Sequence, residues 1–157
     1  MVYAEKFIEA SEYAKSLDMV YRTFLACNFD EKVEFHCRAC LPSPHLTTDG
    51  YISACDMALF GNDDNHMSNF IYGKWDKKSH SIIIDKEKVE LLRSRSVDNM
   101  PICKSCEVRY NCGGYCLGEI ANETFDLFGR KKQVCNSIKY LAKHISRNNG
   151  CYEYLHP

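Results

Sequence analysis

The sequence predicts an α+β fold: a small cysteine-rich domain made of a β-hairpin and helices, preceded by a helix–strand pair. Three observations predict it. Apolar residues recur at helical spacing near both ends of the chain. An Asp-Gly pair stands between two β-prone runs. Ten cysteines fall into short-spaced groups instead of being scattered.

The first helix is expected over residues 3–17, where Tyr3, Phe7, Ala10, Ala14 and Leu17 lie on one face. Residues 19–25 form a β-prone run, read as a strand. Residues 28–44 are loop-like and carry Cys37, Cys40, Pro42 and Pro44. Asp49-Gly50, flanked by Leu46-Thr47-Thr48 and Tyr51-Ile52-Ser53-Ala54, predicts a hairpin with a type I′ turn. Cys55 ends its second strand. Residues 61–69 read as a polar loop and 70–73 as a short strand with Trp75 just beyond it. After the apolar run Ile82-Ile83-Ile84, Asp85 caps a helix over about residues 86–95 that buries Val89 and Leu92. A last helix over 132–147 aligns Val134, Ile138, Leu141, Ala142 and Ile145, with Cys135 in its first turn. A helix N-terminus favours a thiolate or an anionic cluster.

With 157 residues, 45% hydrophobic and 26% charged, the chain has room for one globular domain. Twenty basic residues against twenty-one acidic ones argue against nucleic-acid binding as its main role. No apolar run reaches the ~18 residues of a membrane span. The N-terminal residues lack the apolar core of a secretory signal. A cytoplasmic location is therefore expected.

Ten cysteines allow disulfides, metal or inert thiols. Disulfides suit a secreted chain. Inert thiols are usually scattered. Short spacing suits metal, because several thiolates must converge. The six histidines do not show the paired spacing of a two-cysteine, two-histidine zinc finger.

The second cysteine group is Cys103-x2-Cys106-x5-Cys112-x3-Cys116, with Gly113-Gly114 giving the backbone freedom to wrap closely. The first is Cys40-x9-Gly50-x4-Cys55, and Cys135 follows alone. This ordered set resembles the signature of the SPASM domain, the C-terminal extension of many radical S-adenosylmethionine enzymes. Among its hosts are anaerobic sulfatase-maturating enzymes and maturases of ribosomal peptides. The resemblance covers roughly residues 37–145.

The resemblance implies two auxiliary [4Fe–4S] clusters. Cys40, Cys55 and Cys116 would supply three ligands of the first; Cys103, Cys106, Cys112 and Cys135 would hold the second. The sequence departs from the sulfatase-maturating pattern at the fourth ligand of the first cluster, where Glu34 stands in place of a cysteine. Cys37 is the natural substitute, Cys27 and His36 are weaker ones, and an incomplete first cluster is the further alternative. Cys151 matches nothing in the family. Asp56 matches an aspartate thought to act as the base that deprotonates the substrate residue. As a rival role, Asp56 caps a turn after the hairpin.

The C-x3-C-x2-C motif of the radical core is absent; after Cys112-x3-Cys116 the required position is Glu119. The chain alone is thus not expected to cleave S-adenosylmethionine, which would bind only in a full-length parent. On this reading residues 1–27 end the partial (β/α) barrel of the radical core, 28–147 form the auxiliary domain, and 148–157 are a tail. The implied partners are that upstream core, a peptide or protein substrate, and a flavodoxin or ferredoxin. Arg38, Lys104, Arg109, Lys131 and Lys132 lie near the ligands, as solvated charges or as donors to cluster sulfur. Tyr110 and Tyr115 are read as packing shields against water. Two rival functions stand beside this one: a four-cysteine zinc module for protein interaction, with zinc also able to replace iron in aerobic preparations, and a small ferredoxin-like electron carrier.

Overall fold

A computed structural model describes residues 2–19, 21, 32–61 and 66–144. The predicted strand at 19–25 lies almost wholly outside these residues, as do Cys27 and Cys151. The described part is α+β, as expected. In chain order it holds α1 (Val2–Ser16), a 3-10 turn at Arg38–Cys40, β1 (His45–Leu46), β2 (Tyr51–Ser53), a second 3-10 turn at His66–Phe70, β3 (Ile71–Asp76) and β4 (Ser81–Ile84). There follow α2 (Lys86–Arg93), a third 3-10 turn at Pro101–Cys103, the one-turn α3 (Arg109–Cys112), α4 (Leu117–Thr124) and α5 (Lys132–His144).

The four strands form one antiparallel meander in the order β1-β2-β3-β4. The hairpin stands where Asp49-Gly50 predicts it, but the turn is of another type. Only Gly50 has positive φ, at +88°. Gly50 N–H donates to Thr47 O at 3.1 Å, and Thr47 N–H donates to Tyr51 O at 2.8 Å. This is a three-residue loop whose last position is a left-handed glycine. Between β2 and β3 the register slips at Ile52/Ser53, so that Ser53 faces Ile71 and Tyr72 is the extra residue. The bulge bends the end of β2. Beyond it Ser53 Oγ donates to Cys55 O at 2.8 Å and accepts from Cys55 N–H at 3.1 Å, which fixes the backbone at Cys55.

The 70–73 strand is longer than predicted and includes Trp75, and the isoleucine run is its partner, β4. Residues 77–80 turn between them, nucleated by Asp76, whose carboxylate accepts from Ser79 N–H at 3.0 Å.

Two apolar cores result. One packs Ile52, Phe70, Ile71 and Tyr72 of the sheet side against Leu92, Leu117 and Ala121. The other packs Ala4 and Phe7 of α1 against Ile138 and Leu141 of α5, with Ile120 and Tyr115. Helix α4 belongs to both: Leu117 and Ala121 face the first core and Ile120 the second. On α1, Ala4 and Phe7 are buried and Ala10 and Ala14 half-buried, so the middle of the predicted stripe faces inward and its ends do not. Tyr3 and Leu17 are exposed.

Candidate functional site

The first cysteine group is assembled at the margin of the sheet core. Cys37 caps the 3-10 turn Arg38–Cys40, its Sγ accepting from Ala39 N–H at 3.4 Å. That turn folds Cys40 inward, where it is 1% exposed. Cys55 follows the bulged end of β2. Cys116 is the N-cap residue of α4. The four thiols are electrostatic neighbours: Cys40, Cys55 and Cys116 each feel Cys37, and Cys40 and Cys55 each feel Cys116.

Burial dominates their chemistry. It pushes the Cys40 thiol up to about 12 and the Cys55 thiol up to about 11. The Met57 backbone amide pulls Cys55 the other way. Burial also raises Cys116, against the pull of the Glu119 and Gly118 amides at the start of α4. Thiols so placed become thiolates when a nearby positive charge, such as a metal, supplies what water does not. Gly118 makes room for this group: a Cβ there would stand 2.7 Å from Cys55 Sγ.

The second group lines one mainly apolar cavity, with Cys103, Cys106, Cys112 and Cys135 all on its wall. Each comes from a different piece of backbone. Cys103 closes the third 3-10 turn, and Cys106 N–H donates to Cys103 O at 2.9 Å. Cys112 ends α3, and Cys135 lies in the first turn of α5. Burial raises Cys103, and the neighbouring Cys112, Cys135 and Cys106 add to it. Burial likewise raises Cys135, with Arg130 and Lys139 opposing.

The fold thus gathers Cys37, Cys40, Cys55 and Cys116 in one place and Cys103, Cys106, Cys112 and Cys135 in another. Cys112 and Cys116, four residues apart, go to different groups. The reversal between them is made by Gly113 (φ +57°) and Gly114 (φ +86°). A Cβ on Gly113 would lie 2.4 Å from His36 N, whose N–H donates to Gly113 O at 2.8 Å. No disulfide joins any of the eight described cysteines. Among the described residues no three Cys, His, Asp or Glu side chains converge on a single ion-sized point.

Asp56 is an exposed carboxylate paired with His45 Nδ1 at 2.7 Å and Arg38 at 3.3 Å. It ties the Arg38–Cys40 turn to β1, a contact that neither reading of its role foresees. His36 is buried, its Nδ1 3.2 Å from Cys112 O and its ring against Tyr115. Tyr115 is itself buried and donates to Glu119 at 2.5 Å. Lys131 is held by Glu119 and Glu123, and Arg109 by the Lys104 carbonyl at 2.6 Å.

Sequence reasoning misses two residues. One is Gly118, for which a helical glycine gives no local signal. The other is Arg95, wholly buried between the two groups. It stands in the run Arg93-Ser94-Arg95-Ser96, and nothing in the sequence marks it as the inward arginine.

No protein-family model matches the chain, and no solved structure matches it. A stretch of 56 residues is 39% identical to an uncharacterized protein of Archaeoglobus fulgidus. That stretch is 36% of this chain and spans 13% of the relative's length.

Proposed function

We propose that this chain is an auxiliary iron–sulfur domain of the SPASM type, holding two [4Fe–4S] clusters for a radical S-adenosylmethionine enzyme that modifies a peptide or protein. The observation that carries the reading is the sorting of eight cysteines into two groups of four, in the interleaved order the resemblance implies. Cys37 completes the first group. When bound, each cluster supplies a one-electron carrier, suited to taking an electron from a substrate radical. The chain's own part is to hold the thiolates apart in two separate apolar settings and to keep water from them.

The donor set fits the group. All eight donors are sulfur, the soft ligand such clusters use. Tetrahedral zinc, with Zn–S near 2.3 Å, needs its four sulfurs within about 3.8 Å of one another. The second group's thiols line one cavity, and reconstitution decides which metal the two groups take. The apolar side chains that α1 leaves exposed, Val2, Tyr3 and Tyr13, and Leu17 just beyond it, suit a domain packed on a larger core.

The test is anaerobic reconstitution with iron and sulfide. The expected product is brown and carries about eight irons per chain, four per cluster. Colourless protein that takes stoichiometric zinc and no iron would overturn the proposal in favour of a zinc module. A second arm uses the full-length parent. There Asp56→Asn should leave cluster content and cofactor cleavage near wild type while product formation falls at least tenfold. Unchanged product formation would make Asp56 a structural clamp between Arg38 and His45.

A further inference from the structure

Arg95 is 0% exposed. Two of its three guanidinium nitrogens are anchored to backbone: Nε donates to Leu127 O at 2.7 Å and Nη2 donates to Gly114 O at 2.8 Å. The third, Nη1, is buried and has no hydrogen-bond partner among the described residues. The backbone makes space for it, since a Cβ on Gly114 would lie 2.4 Å from Nη1. No described carboxylate forms an ion pair with it.

A buried guanidinium without a counter-ion is costly, and native folds keep one only where something offsets the charge. The charges that face Arg95 come from both cysteine groups: Cys40 and Cys37 from the first, Cys103 and Cys112 from the second. Neutral thiols offset nothing. Four thiolates on a doubly positive four-iron core carry about −2 per cluster. Two such anions on either side would give the guanidinium its missing partner and give Nη1 a sulfur acceptor. Lys104 and Lys131, closer to ligands in sequence, stand on more exposed ground.

We propose that Arg95 is a fixed cation shared by both clusters, a positioning residue that stabilises their reduced forms together. The inference rests on the iron–sulfur reading above. The step it acts on is simple. One electron from a one-electron donor, the substrate radical in the enzyme or dithionite in a cuvette, enters a cluster. No bond is made or broken, and the guanidinium keeps its proton. The added negative charge is offset by a cation whose geometry is already set by Leu127 and Gly114, so little reorganisation is needed.

The experiment compares wild type, Arg95→Met and Arg95→Lys after anaerobic reconstitution. Iron is measured first, and both midpoint potentials are then followed by electron paramagnetic resonance during a dithionite titration. Arg95→Met should keep about eight irons. Both of its potentials should fall by at least a tenfold change in reduction equilibrium, 59 mV for one electron. Arg95→Lys, which keeps the charge, should stay within that margin of wild type. Failure of Arg95→Met to load while Arg95→Lys loads would also support the proposal, since charge is then what the site requires. Unmoved potentials in a fully loaded Arg95→Met, a shift in one cluster only, or loss of both clusters in both variants would overturn it. Wild type that takes no iron would instead sink the iron–sulfur reading itself.

Discussion

Gly118 lies in the first turn of α4, where alanine is intrinsically the better helix former by about 1 kcal/mol. Its neighbours reverse that preference. An added Cβ would meet Cys55 Sγ at 2.7 Å and Met57 Sδ at 3.1 Å. Met57 is exposed and can swing away; a sulfur held on the proposed cluster could not. Gly118→Ala should therefore cost the reconstituted protein the first cluster, about four irons of eight, and leave the second in place. Full iron content in that variant would show that Cys55 is not held as a ligand. Glu119, one residue on, answers to pH. Burial alone would push its carboxyl up, but Lys131 and the Tyr115 hydroxyl more than offset this, and it sits below the ordinary carboxylate value. A carboxyl lowered in the folded state stabilises the fold above its unfolded value, and that stability is lost as pH falls through the folded one. Glu119→Gln should thus be less stable than wild type at pH 7 by about 0.5–1 kcal/mol. The difference should shrink to nothing in melts taken well below pH 4. A gap that persists in acid would make the loss one of packing.

At the scale of elements, α2 shows how local chemistry positions the site. Asp85 is its N-cap, with the carboxylate accepting from Lys88 N–H at 3.1 Å. Lys88 Nζ in turn donates to Ser68 O and Ile71 O, which sets the helix against β3. The far end of α2 delivers Leu92 to the sheet core and, just past the helix, Arg95 to its place between the cysteine groups. Asp85→Ala should cost about 1 kcal/mol. For a chain of this size that lowers the melting temperature by roughly 2–4 °C, measurable by calorimetry on the reconstituted protein. The cap was legible in the sequence because an Asp before a run of strong helix formers has few other uses. The hairpin was legible through Asp49-Gly50, but its turn type was not. The pair marks a reversal, while the loop length depends on the Thr47–Tyr51 pairing. β4 was obscured because Ile82, Ile83 and Ile84 are all substantially exposed, and an apolar run at a sheet edge reads as core. Arg95 was illegible for the opposite reason, since composition places arginine outside and only the fold turns this one in.

Among the described residues, α4 and the backbone reversal at Gly113-Gly114 join the two cores, Arg95 and His36 cross the same region, and the cysteine groups flank that junction. The first group ties Cys37 to Cys116 and the second ties Cys103 to Cys135, so the two enclosed lengths of chain overlap between 103 and 116. Without clusters the junction holds one buried thiol, Cys40, seven half-buried ones and an uncompensated guanidinium. With the proposed clusters bound, each group would become a covalent crosslink between distant segments. A disulfide closing loops of such length stabilises by about 2–4 kcal/mol, and binding energy gained only by the folded chain adds to folding energy. At roughly 2–4 °C per kcal/mol, reconstitution should raise the melting temperature by about 5–15 °C per cluster. Cys135→Ala should forfeit the share of the second cluster and loosen α5, which proteolysis at the C-terminal end would reveal. Cys37→Ala should forfeit the share of the first and leave α5 protected. Apo and reconstituted chains that melt together would mean that the junction is held by Leu117, Ile120 and Ala121 alone. The sorted cysteines would then have no part in the architecture.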